Sequence, residues 1–149
     1  VIGLMLGDER GRRLLDDADN FGQTALLLAC RKGHADVVRM LLASERGGRL
    51  LLSFDHEGAN ALHLAVDHKE VVEAMLAREE GRSLLQEGDK AGQTALMRAI
   101  AKGRETTALQ MLGAASGGTA DLLGIADDAG MNVVHHACYA GRVRLLREL

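Results

Sequence analysis

The sequence predicts an all-α fold, a solenoid of stacked helix-turn-helix units joined by β-turn or hairpin loops. Three observations support this. The stretch 19–42 returns in altered form from residues 55, 89 and 127. Each copy holds two short helical patterns of apolar residues. Apolar residues make up 47% of the chain but aromatic residues only 2%, which suits thin layers of short helices. Self-similarity of this kind implies that neighbouring units stack and bury a common core.

The unit has a period of about 36 residues, and one glycine in each copy marks it. The intervals are 36, 34 and 38 residues between Gly22, Gly58, Gly92 and Gly130. We divide the chain into the end of a preceding unit with its linker (1–18) and four units (19–54, 55–88, 89–126 and 127–149), the last truncated. Residues 1–6 align with a second helix, 37–42, and neither end carries a polar capping unit. We therefore expect a fragment of a longer array.

The first full copy shows how the pattern specifies local structure. Residues 19–22 have turn composition, and Thr24 can cap a helix because its hydroxyl accepts a backbone N–H of the first turn. Residues 25–32 then form a short first helix, which Gly33 closes in the left-handed conformation. Residues 35–45 form a second helix with apolar side chains at the spacing of a helix packed on two sides.

The connecting segments 7–19, 43–55 and 77–89 align without gaps. In the second of them we expect Gly47 to end the preceding helix, and Leu50 and Leu51 to fold back over its last turn. The second copy is two residues short between its helices, so we expect its first helix to end near Asp67.

The pattern resembles the ankyrin repeat, a β-turn followed by two antiparallel helices. The motif T-P-L-H-x-A of that family takes the forms T-A-L-L-L-A, N-A-L-H-L-A, T-A-L-M-R-A and N-V-V-H-H-A at residues 24–29, 60–65, 94–99 and 132–137. The resemblance covers nearly the whole chain, although the chain lacks proline and keeps the motif histidine only at His63 and His135. It implies that these two histidines form hydrogen bonds between repeats.

Composition narrows the classes of function. The net charge is −3 with both signs interspersed, so no basic face for nucleic acid is expected. No apolar run is long enough to span a bilayer, and no membrane insertion is expected. No pattern of a metal site, a catalytic triad or a phosphate loop occurs. We therefore expect no enzyme activity, no catalytic residues, no metal, no cofactor and no small-molecule substrate.

Two other sets of residues have structural interpretations. The aspartates that open the four copies resemble a metal ladder but are typical turn residues that accept nearby backbone N–H groups; they are Asp19, Asp55, Asp89 and Asp127. Cys30 and Cys138 share one position of the unit and are expected to be buried in different layers, too far apart for a disulfide. Free thiols favour a reducing, intracellular compartment, and we expect the cytoplasm.

The resemblance implies a non-catalytic scaffold that binds a protein partner through the hairpin tips and the concave face of the first helices. An alternative is the regulatory ankyrin region of a larger multidomain enzyme or channel, with the activity elsewhere in the protein. Among the tip and helix positions, Phe21, Arg31 and Tyr139 are the expected anchors, because aromatic residues and arginine often dominate binding energy. The expected partner-binding residues are Asn20, Phe21, Gln23, Arg31, Lys32, His56, Glu57, Asp67, His68, Lys90, Gln93, Lys102, Asp128, Met131 and Tyr139.

Overall fold

A computed structural model of the protein describes residues 9–115 and 119–149. Within these ranges the regular elements are helices, and the β-structure consists of isolated antiparallel bridges, one at the base of each hairpin. The expected all-α class is confirmed. The segment 1–6, which the sequence assigns to a preceding helix, lies outside the described residues.

The helices fall into three sets that repeat along the chain. In chain order they are α1 (Glu9–Leu14), α2 (Ala25–Lys32), α3 (Ala35–Leu42), α4 (Gly47–Leu51), α5 (Ala61–Leu64), α6 (Lys69–Leu76), α7 (Glu79–Ser83), α8 (Ala95–Ala101), α9 (Glu105–Gly113), α10 (Thr119–Gly124), α11 (Val133–Tyr139) and α12 (Val143–Glu148), with a 3-10 turn at Leu84–Gln86. The first helices are α2, α5, α8 and α11. The second helices are α3, α6, α9 and α12. The remaining four are linker helices.

The helices pack both within a unit and against the neighbouring units. First helices contact first helices along the stack, and α3, α6 and α9 form a parallel second row. Leu62 of α5 and Leu96 of α8 lie between these layers and are fully buried, as the sequence predicts. The core is continuous from Leu15 to Leu145 and consists of aliphatic side chains, methionine and Cys30. Burial of this apolar surface between layers is the main source of stability.

The linkers differ from the expectation because they are helical. The second helix of the first unit ends at Leu42, and Gly47 begins α4 instead of ending α3. A Cβ atom at Gly47 would overlap the carbonyl oxygen of Leu42, so only glycine permits this close approach of α4 to the end of α3. Leu50 and Leu51 are buried on α4, which confirms that this segment folds back.

The turns between first and second helices follow the sequence pattern in three units. Gly33, Gly103 and Gly141 have φ angles of 77°, 73° and 65°, the left-handed conformation that glycine adopts without strain. In the shortened unit α5 is a single turn that ends at Leu64, three residues before the predicted end at Asp67. The two-residue deletion thus shortens the first helix as well as the turn that follows it.

The two cysteines occupy different environments, which corrects the expectation that both are buried. Cys30 is buried, and its Sγ lies 3.8 Å from Sδ of Met75, on the second helix of the next unit. Burial raises the pKa of the Cys30 thiol to about 12. Cys138 is exposed, since no described residue covers its position.

Candidate protein-interaction face

Each hairpin is held by its opening aspartate, as the turn interpretation predicts. One carboxylate oxygen of Asp19 accepts the backbone N–H groups of Phe21 and Gln23, both at 2.9 Å. The aspartates of the other three hairpins accept the equivalent pair at 2.9 to 3.0 Å. The pKa of Asp127 is lowered, mainly by the N–H of Met131, against the opposing effect of burial. The tips therefore have a defined shape before any partner binds.

Backbone hydrogen bonds also join each tip to the next. The N–H of His56 donates to the carbonyl of Phe21 at 2.9 Å, and the N–H of Lys90 donates to the carbonyl of Glu57 at 3.0 Å. The N–H of Asp128 donates to the carbonyl of Ala91 at 3.0 Å. The four tips consequently form one continuous row.

The first helices begin at capping residues directly after the hairpins. Thr24, Asn60, Thr94 and Asn132 accept the backbone N–H three residues later through their side-chain oxygens. These caps satisfy an N–H group that has no partner within the helix. They fix the direction in which each first helix leaves its hairpin.

His63 connects two repeats, as the resemblance implies. Its Nδ1 accepts the N–H of Asn60 at 3.2 Å, so its Nε2 carries the proton and donates to the carbonyl of Gln93 in the next hairpin at 2.7 Å. Burial lowers the pKa of His63, which keeps the ring neutral. His135 makes the same local contact with Asn132 but is exposed, and no bond to another repeat is present among the described residues.

Two further pairs hold the later hairpins, and sequence reasoning missed them. Arg98 pairs with Asp89 at 2.6 Å, and buried His136 pairs with Asp127 at 2.9 Å. Arg98 and His136 share one position of the unit, four residues after the cap, where the first two units have Leu28 and Leu64. The sequence signal for these pairs was the change from leucine to arginine or histidine at this position of the unit.

Most of the predicted contact residues are on the surface. Phe21 is 69% exposed and Tyr139 is 89% exposed. His68, Gln93 and Met131 are half-buried. The other exposed residues of the set are Asn20, Arg31, Lys32, His56, Glu57, Asp67, Lys90, Lys102 and Asp128.

Gln23 is the exception, because only 6% of its surface is exposed. The position directly after the hairpin glycine points inward in every unit. Ala59 is buried there, and Gln93 and Met131 are half-buried. The prediction that Gln23 contacts a partner does not fit this arrangement, and Gln23 is left out of the face described below.

At the far ends of the first helices, each unit contacts the turn of the preceding unit. His68 lies against Gly33 and its Nε2 is 3.1 Å from the carbonyl oxygen of Arg31. Arg142 lies against Gly103 in the same way. In the shortened unit Asp67 stands in place of this glycine.

The carboxylate of Asp67 joins the second unit to the third. One oxygen accepts from Lys102 at 2.7 Å and the other from Arg104 at 2.7 Å. The hydrogen bond from Lys102 contributes most to the lowered pKa of Asp67; burial opposes it, and the hydrogen bond from Arg104 adds to the lowering. These pairs are solvent-accessible, since the three side chains are 31 to 52% exposed.

We define the candidate face as the exposed hairpin tips together with the exposed residues at the C-terminal ends of the first helices.

In the part of the chain that the structure describes, no group of three His, Cys, Asp or Glu side chains could hold a metal ion. No helix in that same part has the length and apolar character needed to cross a membrane.

Comparison with known proteins supports the structural description. A family model described as "Ankyrin repeats (3 copies)" matches residues 4–84, more than half of the chain. No curated protein matches the chain. Residues beyond 84 form the same hairpins and helix pairs as the matched part. The chain therefore belongs to the ankyrin-repeat family.

Proposed function

We propose that this protein is a non-catalytic scaffold that binds a protein partner through the candidate face. Ankyrin repeats are generally protein–protein interaction modules and are typically non-catalytic. The observation that carries the proposal is a row of tips fixed by backbone hydrogen bonds whose side chains nevertheless point into solvent. A preformed surface loses little conformational freedom on binding, which favours affinity.

Phe21 and Tyr139 are the proposed apolar anchors of this interaction. They lie on the first and the last hairpin units and are the most exposed aromatic residues of the chain that the structure describes. Because both side chains are mostly exposed, their truncation should change the stability of the fold little. Aromatic side chains with this placement often carry much of the binding energy of an interface.

The alternative is that these repeats regulate a larger enzyme or channel, with the same face bound to another domain of that protein. Both versions use the same surface, so they differ in the occupant and not in the mechanism. Free thiols at Cys30 and Cys138 support an intracellular, reducing compartment for either version.

The test compares partner capture by two double variants, one with changes on the candidate face and one with changes on the second helices. Phe21→Ala with Tyr139→Ala removes the anchors and should weaken capture by about thirtyfold or more, since a true anchor contributes about 2 kcal/mol. Arg39→Ala with Glu73→Ala changes exposed residues of the second helices and should leave capture unchanged.

Thermal melting of both variants provides the control for folding, and both melting curves should match that of the wild type. Loss of capture by the second-helix variant, with capture retained by the anchor variant, would place the interaction on the opposite side of the stack and refute the proposal.

A further inference from the structure

Positive charge is concentrated at the C-terminal ends of two first helices and at the turn that follows the second of them. Four cationic side chains lie there, Arg31 and Lys32 in the first unit and Lys102 and Arg104 at the turn of the third, and all four are exposed. We call them the basic cluster. The only acidic residue at the equivalent turn of the unit between them is Asp67. Counted with Asp67, the cluster has a local charge of 4 − 1 = +3, in a chain whose net charge is −3.

Contacts between units place the two halves of the basic cluster at successive turns of the stack. The backbone carbonyl oxygen of Arg31 forms a hydrogen bond with Nε2 of His68 at 3.1 Å. His68 is adjacent in the chain to Asp67, whose two oxygens hold Lys102 and Arg104. The cluster therefore extends over three consecutive units, and Asp67 lies near its middle.

The two halves of the cluster differ in whether their cations already form ion pairs. Among the described residues neither Arg31 nor Lys32 forms an ion pair, whereas Lys102 and Arg104 share one carboxylate. Exposed ion pairs contribute little to stability, because water solvates the separated charges well. A carboxylate from outside the chain could therefore replace Asp67 at small cost.

Other acidic residues limit where a ligand could lie. Asp36, Glu70 and Glu105 occupy the first turns of the second helices, next to the same turns. They outnumber Lys69, the exposed cation of the same first turns, so an anionic ligand that approached from the second-helix side would be repelled. The favourable approach is from the side of the first helices, which is the candidate face.

We propose that the basic cluster binds an acidic, extended segment of the protein partner, and that Asp67 occupies the Lys102 and Arg104 site in its absence. This inference rests on the proposed function and specifies its partner. Two carboxylate groups of the segment would contact the two halves of the cluster. Helices packed side by side are about 8–10 Å apart, so the halves are separated by roughly 16–20 Å, which about five or six extended residues span.

The test is fluorescence anisotropy with a labelled synthetic peptide containing two Glu-Glu pairs separated by five Gly and Ser residues. The wild-type protein should bind it, more weakly as salt rises. The same peptide with Gln in place of Glu should not bind. Arg31→Ala with Lys32→Ala, or Lys102→Ala with Arg104→Ala, should lower the affinity by about two- to thirtyfold, which is the range for two exposed charge pairs.

The role of Asp67 gives the sharpest prediction. Asp67→Asn releases Lys102 and Arg104 and removes a repelling charge, so it should raise the affinity for the Glu peptide by about two- to fivefold. The matched control is Arg144→Ala with Arg147→Ala, two exposed cations on α12, which should change the affinity little. Circular dichroism verifies that each variant is folded.

Several outcomes would overturn the inference. They are equal binding of the Gln peptide, tighter binding of a labelled single-stranded oligonucleotide than of the Glu peptide, or an Asp67→Asn variant whose affinity is unchanged or lower. None of them affects the proposed function, because capture of a partner that depends on Phe21 and Tyr139 would persist. Loss of that dependence would instead refute the proposed function while leaving peptide binding intact.

Discussion

Replacement of Gly81 by alanine tests the packing of the linker helices. Gly81 lies inside α7 and is buried, and a Cβ atom there would lie 2.6 Å from the carbonyl carbon of Met75 and would overlap its oxygen. Ordinary contact begins near 3.4 Å, so α7 and the end of α6 would have to separate by at least about 0.8 Å to clear the carbon, and by more to clear the oxygen. The Met75 carbonyl also accepts the N–H of Arg78 at 3.0 Å, a bond that this displacement would strain.

The expected cost follows from two opposing effects. Overpacking against backbone costs about 1–3 kcal/mol, and a displacement of this size belongs near the upper end. Alanine is favoured over glycine inside a helix by about 0.5–1 kcal/mol. The net destabilisation should therefore be about 2 kcal/mol, which in urea titration followed by circular dichroism lowers the midpoint by about 1 M.

Gly113→Ala is the matched control for this substitution. Gly113 is the last residue of α9, and no atom lies within 4 Å of a Cβ built there. Only the helix preference remains, so this variant should be as stable as the wild type or slightly more stable. A Gly81→Ala protein with an unchanged or higher midpoint would show that α7 does not pack against α6 as described.

Three other predictions concern the core, a surface charge and the thiols. Leu96→Ala should cost about 2–5 kcal/mol in urea titration because Leu96 is fully buried between two first helices, and a loss below about 0.5 kcal/mol would contradict this placement. The pKa of Asp67 in the folded protein is lowered below the ordinary value of about 3.9, so its ion pairs should stabilise the wild type over Asp67→Asn by at most about 1 kcal/mol near pH 7. This difference in the free energy of unfolding should vanish as the pH falls through the folded-state pKa. A difference that persists at the lowest pH would show another cause. A maleimide reagent should label exposed Cys138 in the native protein but label Cys30, buried and with a pKa raised to about 12, only after unfolding; equal rates for the two thiols in the native protein would refute the difference in burial.

The sequence predicted those features that depend on local chemistry repeated at fixed spacing. The aspartate turns, the left-handed glycines and the buried Leu62 are each determined by one residue type at one position of the unit. Four copies in register made these assignments secure. The resemblance to a known repeat then supplied the bond from His63 to the next hairpin.

The features that the sequence did not reveal depend on contacts between segments. The linker helices follow from the fit of Gly47 against Leu42, and glycine in a sequence favours a helix end over a helix start. The inward orientation of Gln23 depends on the packing of the hairpin, which an amide side chain does not indicate. The exposure of Cys138 and the pairing of Asp67 with Arg104 depend on which unit lies next in the stack.

The row of hairpin tips has a mechanical consequence. Each tip is joined to the next by one backbone hydrogen bond, and the principal contacts of each layer are with its neighbours. A pulling force applied along the stack therefore acts on these junctions in series, and the weakest end junction opens first. Release of one unit of about 36 residues would lengthen the chain by roughly 12 nm, since an extended residue spans about 3.3–3.6 Å. The stack would thus extend in discrete steps of one unit, while the remaining tips kept their arrangement.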